Sequence, residues 1–246
     1  MADSSSNDST SGGPWSQRGF VAAAAFLGIV IVAAVGILLI GPGDSGDSGG
    51  GTRPQGGNNG KPGTTADPAA SACGLKPGGQ EVPETPPDAK WTLVGKVAVP
   101  SSSDVGPARR EGALRACYAH SPTGALFAAA NFVAVASLAN VDKEVVGHLV
   151  ANNSDRDAFL NDLEQSRSGS RAQIAGFRIV GASKDEASVE LAFNAVNGEG
   201  RSGVVSATFP MRWEQGDWKF VATAGDDPYS IQPLDSTSGF IPWGGA

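Results

Sequence analysis

The 246-residue sequence predicts an α+β domain, with helices on one face of a curved antiparallel sheet of about four strands, joined to an N-terminal transmembrane helix. Three observations predict this fold class. An uncharged apolar segment lies near the N-terminus, an alanine-rich apolar segment lies in the middle, and segments of alternating apolar and polar residues follow it. Because the helices precede the strands, we expect segregated layers rather than alternating β–α units.

The first apolar segment, residues 19–40, contains no charged residue. A helix of about 20 apolar residues crosses the hydrocarbon core of a bilayer and satisfies its own backbone hydrogen bonds there. The alternative is a cleaved signal peptide, which has a shorter apolar core and a small-residue cleavage site. Here GPGDSGDSGG follows instead. We therefore expect an uncleaved, single-pass anchor in the cell membrane.

Charges at the two ends of the segment indicate its orientation. Arg18 precedes it, whereas Asp44 and Asp47 follow it. The positive-inside rule places residues 1–18 in the cytoplasm as a short tail and the C-terminal domain outside the cell. A tail of this length and polarity cannot fold, which excludes a cytoplasmic kinase or signalling domain.

The two cysteines of the chain, Cys73 and Cys117, both follow the apolar segment. Two cysteines in an exported domain are typical of one disulfide, and this agrees with the external placement of the domain. The alternative is a pair of unpaired buried thiols.

Composition divides the rest of the chain. Residues 41–72 are rich in Gly, Pro and Ser and predict a disordered linker with an end-to-end distance of roughly 30 Å. Residues 73–110 form a Pro-rich, extended lead-in with a short strand at 91–99. Residues 111–225 form the α+β extracellular domain, and 226–246 a C-terminal tail. The net charge of −7 argues against direct nucleic-acid binding.

Helix signals begin after Cys117. Ser121 is a favourable N-cap and Pro122 fits the first helical position. The segment that follows, 125–139, is apolar on nearly every side, which predicts a buried helix. Two shorter helices are expected at 142–150 and 155–166.

Strand signals fill the remainder of the domain. Apolar and polar residues alternate in four segments that begin near residues 177, 188, 205 and 218. This period of two is typical of half-buried strands. The short, turn-like connections ASKDE, NGEGR and EQGD predict an antiparallel meander.

The last two strands carry the motif W-x-x-G-D-W-K, formed by Trp213, Gly216, Asp217, Trp218 and Lys219. This hairpin, together with the long Ala-rich helix and two short helices before it, resembles the nuclear-transport-factor-two-like cone. The resemblance implies helices packed on a curved sheet around a central pocket.

Two further stretches, CYAHSPTGALFAAANF and GFIPWGGA, resemble an actinobacterial single-span membrane-protein family associated with integrative and conjugative elements. The architecture is similar to VirB-type scaffold proteins of conjugation and type IV secretion. The resemblance implies a non-enzymatic scaffold or assembly subunit of a DNA-transfer apparatus. Its partners would be the membrane, other envelope or transfer-channel proteins, or further copies of itself.

Two other functions remain open. The same architecture looks like the Mce-associated membrane proteins, which implies an accessory role in lipid transport. Enzymes and ligand-binding proteins also occur on the cone fold, and they would need a deep pocket with convergent polar groups.

Few residues suggest chemistry. His120 and His148 are the only histidines. A zinc site made by them with Cys73 and Cys117 would have one close ligand pair, Cys117 and His120, whereas structural zinc sites usually have a close pair at both ends. We therefore predict no catalytic residue, no metal ligand and no cofactor. His120 and Asn131 are candidate pocket residues. Asn131 has an alternative role, in which it bonds only to the backbone.

The terminal aromatics suggest a contact surface. Phe240, Ile241 and Trp243 lie close together in GFIPWGGA and are candidates for partner binding. The alternative is that they dock on their own domain.

Overall fold

A computed structural model describes the domain that follows the predicted linker. The residues that the structure describes are 70–165, 171–223 and 228–245. The predicted cytoplasmic tail and the predicted transmembrane segment lie outside them. Within the described ranges, no helix has the length and apolarity needed to cross a membrane.

Ten strands and three helices make up this part of the chain. The strands are β1 (Lys90–Val94), β2 (Val97–Ser101), β3 (Arg109–Glu111), β4 (Leu114–Ala116), β5 (Arg171–Ala182), β6 (Glu186–Val196), β7 (Ser202–Glu214), β8 (Asp217–Phe220), β9 (Gln232–Leu234) and β10 (Ile241–Pro242). The helices are α1 (Pro122–Ala136), α2 (Lys143–Leu149) and α3 (Arg156–Gln165).

The predicted fold class is wrong. The described chain is mostly β and sandwich-like, and it does not form a cone of helices on a sheet of about four strands. Residues 73–116 contribute four strands where one was predicted, and residues 226–246 contribute two more. Strands β1 to β4 form two small hairpins beside α1, and β9 and β10 join the main sheet, so segments expected to be extended or polar become part of the fold.

The main sheet contains six strands in the order β10-β5-β6-β7-β8, and β9 also pairs with β7. Strands β5 to β8 follow one another as an antiparallel meander. The register places Phe177, Leu191 and Ala207 side by side on the inner face, where all three are buried. The four alternating segments of the sequence are therefore consecutive strands.

Helix α1 fills the space between the main sheet and the β1–β2 hairpin. Ser121 has extended backbone angles, and its Oγ accepts a hydrogen bond from the Gly124 N–H at 3.0 Å, so the predicted N-cap is confirmed. Leu126 and Phe127 pack into the core with the main sheet, while Ala134 packs against the hairpin. A helix enclosed by layers on both sides requires the nearly all-round apolar sequence that α1 has.

The β1–β2 hairpin replaces the single strand predicted at 91–99. The chain reverses at Gly95 and Lys96, where Gly95 has a φ of +59°. A glycine at the first central position of a two-residue turn is typical of a type II′ hairpin. Val94, Val97 and their neighbours then face α1.

The C-terminal segment, residues 235–245, is a strap that crosses the outer face of the main sheet and then packs at its β5 edge, against α1 and the β1–β2 hairpin. Its first six residues join β9, at the edge of β7, to β10, at the edge of β5. Four interstrand spacings span roughly 19 Å, which the seven Cα–Cα steps from Leu234 to Ile241 can cover. The Phe240 ring lies 4.7 Å from the guanidinium carbon of Arg178. Beneath it, Arg178 Nε donates to Glu190 at 2.6 Å.

The Trp243 indole anchors the end of the strap by packing into the core. Trp243 is buried against Trp91, Phe127 and Phe177, with ring centroids 4.9, 5.3 and 5.4 Å away, respectively. Its indole N–H donates to the Pro87 carbonyl at 3.1 Å. The ring therefore joins the lead-in, α1 and the main sheet.

Both residues after Trp243 must be glycine, because a side chain at either position would overlap neighbouring atoms. A Cβ on Gly244 would lie 2.3 Å from the Ile174 carbonyl oxygen, and one on Gly245 would lie 2.7 Å from the Ala98 Cβ. The terminal WGG sequence is thus explained by close packing of this segment against β5 and β2.

The strap gives the first testable prediction. Trp243→Ala should lower the free energy of unfolding by about 3–5 kcal/mol, because it removes a buried indole from three packing partners. Val180→Ala, at a side chain that is 57% exposed, is the control and should cost less than about 1 kcal/mol. Urea denaturation followed by circular dichroism measures both. Equal losses would show that the strap is not docked.

Candidate functional site

The carboxylate of Asp217 joins two parts of the chain that are far apart in sequence. Its Oδ2 accepts a hydrogen bond from the Cys117 N–H at 2.6 Å, and its Oδ1 accepts from the Tyr118 N–H at 2.9 Å. Oδ1 also accepts from the Trp218 N–H at 2.9 Å. We call these four residues the Asp217 junction.

The β7–β8 turn places Asp217 at this position. Gln215 and Gly216 have φ values of +57° and +77°, as a type I′ turn requires. The Gly216 carbonyl accepts a hydrogen bond from the Ala72 N–H at 2.8 Å, and a Cβ on Gly216 would lie 2.8 Å from that nitrogen. The turn therefore also holds the beginning of the described chain.

A disulfide completes the junction. Cys73 and Cys117 are bonded, with their Cα atoms 5.8 Å apart. Cys117 has a φ of +69°, a conformation that costs a non-glycine residue about 1–3 kcal/mol. The disulfide and the two hydrogen bonds to Asp217 hold this residue in place.

His120 belongs to the same region, where its ring lies against Trp213 and Trp218. Its ring stacks on Trp213, with centroids 4.0 Å apart, and is almost completely buried. Its Nε2 lies 3.0 Å from an Asp185 carboxylate oxygen, a contact that is an ion pair when the imidazole is protonated but does not have hydrogen-bond geometry. The neighbouring Ala119 carbonyl accepts from the Trp218 indole N–H at 3.0 Å.

Burial changes the acidity of the junction. It raises the pKa of Asp217 to about 6, against the effect of the three backbone N–H donors and of Lys219, which lower it. Burial also raises the pKa of Tyr118, and the charge of Asp217 adds to that change.

Asn131 lies apart from the junction, inside α1. Its Nδ2 donates to the Pro100 carbonyl at 3.0 Å and to the Phe127 carbonyl at 2.9 Å. The side chain therefore ties β2 to the helix, which is the backbone-bonding alternative considered for it.

The three terminal residues proposed for partner binding face their own domain. Phe240 and Trp243 are 9% and 5% exposed, and Ile241 pairs with Phe177 of β5. Their apolar side chains are used in the strap and do not form an exposed contact surface.

The described chain offers little for metal or pocket chemistry. Within it, no group of three or more His, Cys, Asp or Glu residues could hold a metal ion. An open groove of about 470 Å³ lies between α2 and α3 and carries charges of both signs. Its lining residues are Asp142, Lys143, Glu144, Gly147, His148, Arg156, Asp157 and Leu160.

An unpaired strand edge that the sequence analysis missed lies on β1. Among the described strands, β1 pairs only with β2, so its other edge is open. Leu93 on this strand is 71% exposed, more than any other large apolar residue described. The sequence analysis placed it in one continuous strand with Val97 and Val99. Gly95 followed by Lys96 was the signal for a hairpin.

Comparison with known families matches residues 53–242 to a model described as a domain of unknown function, DUF8175. The chain belongs to this family. The match includes the junction, the β1–β2 hairpin and the strap as far as residue 242, and ends just before Trp243. Comparisons with curated proteins and with solved structures gave no match.

The disulfide of this DUF8175 protein gives the second prediction. Cys73→Ser with Cys117→Ser should lower the free energy of unfolding by about 4 kcal/mol, because the bond closes a loop with a sequence separation of 44. Urea denaturation of the oxidised protein and of the double variant measures the difference. Identical unfolding curves would contradict the stabilising role of the bond.

The acidity of Asp217 gives the third prediction. Its pKa is higher in the folded protein than the ordinary value of 3.8, so the folded state holds the proton more tightly. The free energy of unfolding should fall as pH rises from about 4 to about 6, by up to about 3 kcal/mol from this group. Carboxyl carbon NMR should find a titration midpoint near 6. A midpoint at or below 3.8 would show that the N–H donors outweigh burial.

Proposed function

We propose that this chain is a non-enzymatic, single-span membrane protein that scaffolds a conjugative DNA-transfer apparatus of the type IV secretion kind. Residues 19–40 would anchor it, with the N-terminus in the cytoplasm, and the disulfide-bonded domain would contact other subunits outside the membrane.

Two sequence observations support the proposal. The first is the order of an apolar segment, a Gly-rich linker and a two-cysteine domain. The second is the resemblance of CYAHSPTGALFAAANF and GFIPWGGA to a family associated with integrative and conjugative elements.

The observation that carries the proposal is the open edge of β1. Val94 and Val97 close the hairpin, so pairing alternates along it and Leu93 lies opposite Ala98 in a non-hydrogen-bonded pair. The Leu93 N–H and C=O therefore point away from β2. Opposite it, the Ala98 N–H points away from β1 and donates to the Gln173 side chain at 3.1 Å.

The domain itself thus supplies a hydrogen-bond partner to the outer edge of β2 but not to that of β1. The Gln173 side chain accepts from the Ala98 N–H and also donates to the Lys96 carbonyl. On β1, the outward backbone groups of Trp91 and Leu93 are available to an incoming strand. Proteins bind extended segments at such edges through main-chain hydrogen bonds, with side chains adding specificity. We assign this edge to an extended segment of another subunit of the apparatus.

Photo-crosslinking tests the proposal directly. A benzoylphenylalanine at position 93 of the full chain, in its own membranes, should capture a transfer ATPase or a polytopic channel subunit, identified by mass spectrometry. The same probe at Val180, which is also exposed, should not capture it. Capture of lipid-transport proteins would overturn the conjugation assignment, and capture of no protein would overturn the scaffold assignment.

Substitutions at the edge give the fourth prediction. Leu93→Ala should weaken recovery of the partner about tenfold, because a leucine buried on binding contributes about 1.5–3 kcal/mol. Leu93→Pro should weaken it further, since it also removes the outward N–H, which β2 does not use. Val180→Ala is the matched control and should bind normally. Equal recovery with all three variants would contradict strand addition at β1.

A further inference from the structure

The β3–β4 hairpin carries a charge arrangement that the fold does not explain. Arg110 lies directly opposite Arg115 across the two strands. Like charges in directly opposed positions destabilise a hairpin. Leu114 and Ala116 point into the core, so the two arginines project from the other face, where Arg110 is exposed and Arg115 half-buried.

Neither arginine is neutralised by a carboxylate of the described chain. The ion pairs of that part of the protein include Arg109 with Glu111, on the same hairpin, but neither Arg110 nor Arg115. The hairpin, residues 109–116, contains three arginines and one glutamate in a chain of net charge −7. It is therefore a local positive surface on an acidic protein.

Backbone carbonyls orient both guanidinium groups. Arg110 Nε donates to the Pro107 carbonyl at 3.1 Å. Arg115 Nη1 donates to the Gly112 and Leu114 carbonyls at 2.8 and 2.9 Å. Each guanidinium has five N–H donors, so each keeps several free for an anion. Two held guanidiniums with free donors match the oxygens of a phosphate group.

The hairpin lies beside the point where the linker enters the domain. Cys117, which follows β4 directly, is bonded to Cys73, and Ala72 is held by the β7–β8 turn. The composition of residues 41–72 predicts a linker, and a linker alone would not fix how the domain faces the bilayer. A positive surface at the point of entry would fix it.

We propose that Arg110 and Arg115 bind the phosphate headgroups of anionic lipids and hold this end of the domain against the membrane. This inference rests on the membrane anchor of the proposed function but not on its partners. Two basic side chains at an anionic surface should favour the held orientation about 30-fold.

The test uses the full chain in nanodiscs, with a fluorescent amino acid at Ala113 in the turn of the hairpin and a headgroup spin-labelled lipid as quencher. Quenching should be stronger in phosphatidylcholine–phosphatidylglycerol discs than in phosphatidylcholine discs. Arg110→Gln with Arg115→Gln should abolish the difference. Arg171→Gln, at an exposed arginine of β5, is a control for the loss of a positive charge and should retain it.

Equal quenching in the two kinds of disc would overturn the inference. So would a difference in quenching between the discs that persists in the double variant. A third contrary result would be Arg-dependent binding of inorganic phosphate or duplex DNA without any lipid dependence. Failure of the chain to insert into discs would overturn both the anchor and this inference. Insertion without lipid-dependent quenching would overturn only the inference.

Discussion

The fold depends on the buried carboxylate of Asp217. It accepts hydrogen bonds from the Cys117 and Tyr118 N–H groups, which lie about one hundred residues earlier in the chain. Without it, these two donors and the Trp218 N–H would lose their acceptor, and each buried unsatisfied group would cost about 1–3 kcal/mol. Because Cys117 is also bonded to Cys73, this one side chain connects the linker, the start of α1 and the last hairpin of the meander.

The strap also joins segments that are distant in sequence. Trp243 joins Pro87 of the lead-in to α1 and β5, and the two glycines after it allow the backbone to pass close to β2. Segments from both ends of the described chain thus pack around α1. Most apolar surface is used internally, which leaves the β1 edge and the basic β3–β4 hairpin as the surfaces proposed for contacts. One is suited to a protein strand and the other to anionic headgroups.

Local signals were readable from the sequence, and long-range ones were not. The cap at Ser121, the buried helix and the four-strand meander follow from spacing within a few residues. Strands β9 and β10 contain three and two residues, too few to show a period. Apolar residues alternate from 91 to 99 and so predict one strand, although the chain turns back at Gly95 and Lys96. The partners of Asp217 and Trp243 are set by tertiary contacts, so their roles could not be predicted, and the fold class was wrong for the same reason.

Asp217 holds the Cys117–Tyr118 segment in the folded protein, and amide hydrogen exchange measured by NMR tests this claim. We expect the Cys117 and Tyr118 amides to be as protected as those in the middle of β6, and Asp217→Ala to abolish their protection while β6 stays protected. Exchange at loop rates in the unaltered protein, or full protection in the variant, would contradict the claim.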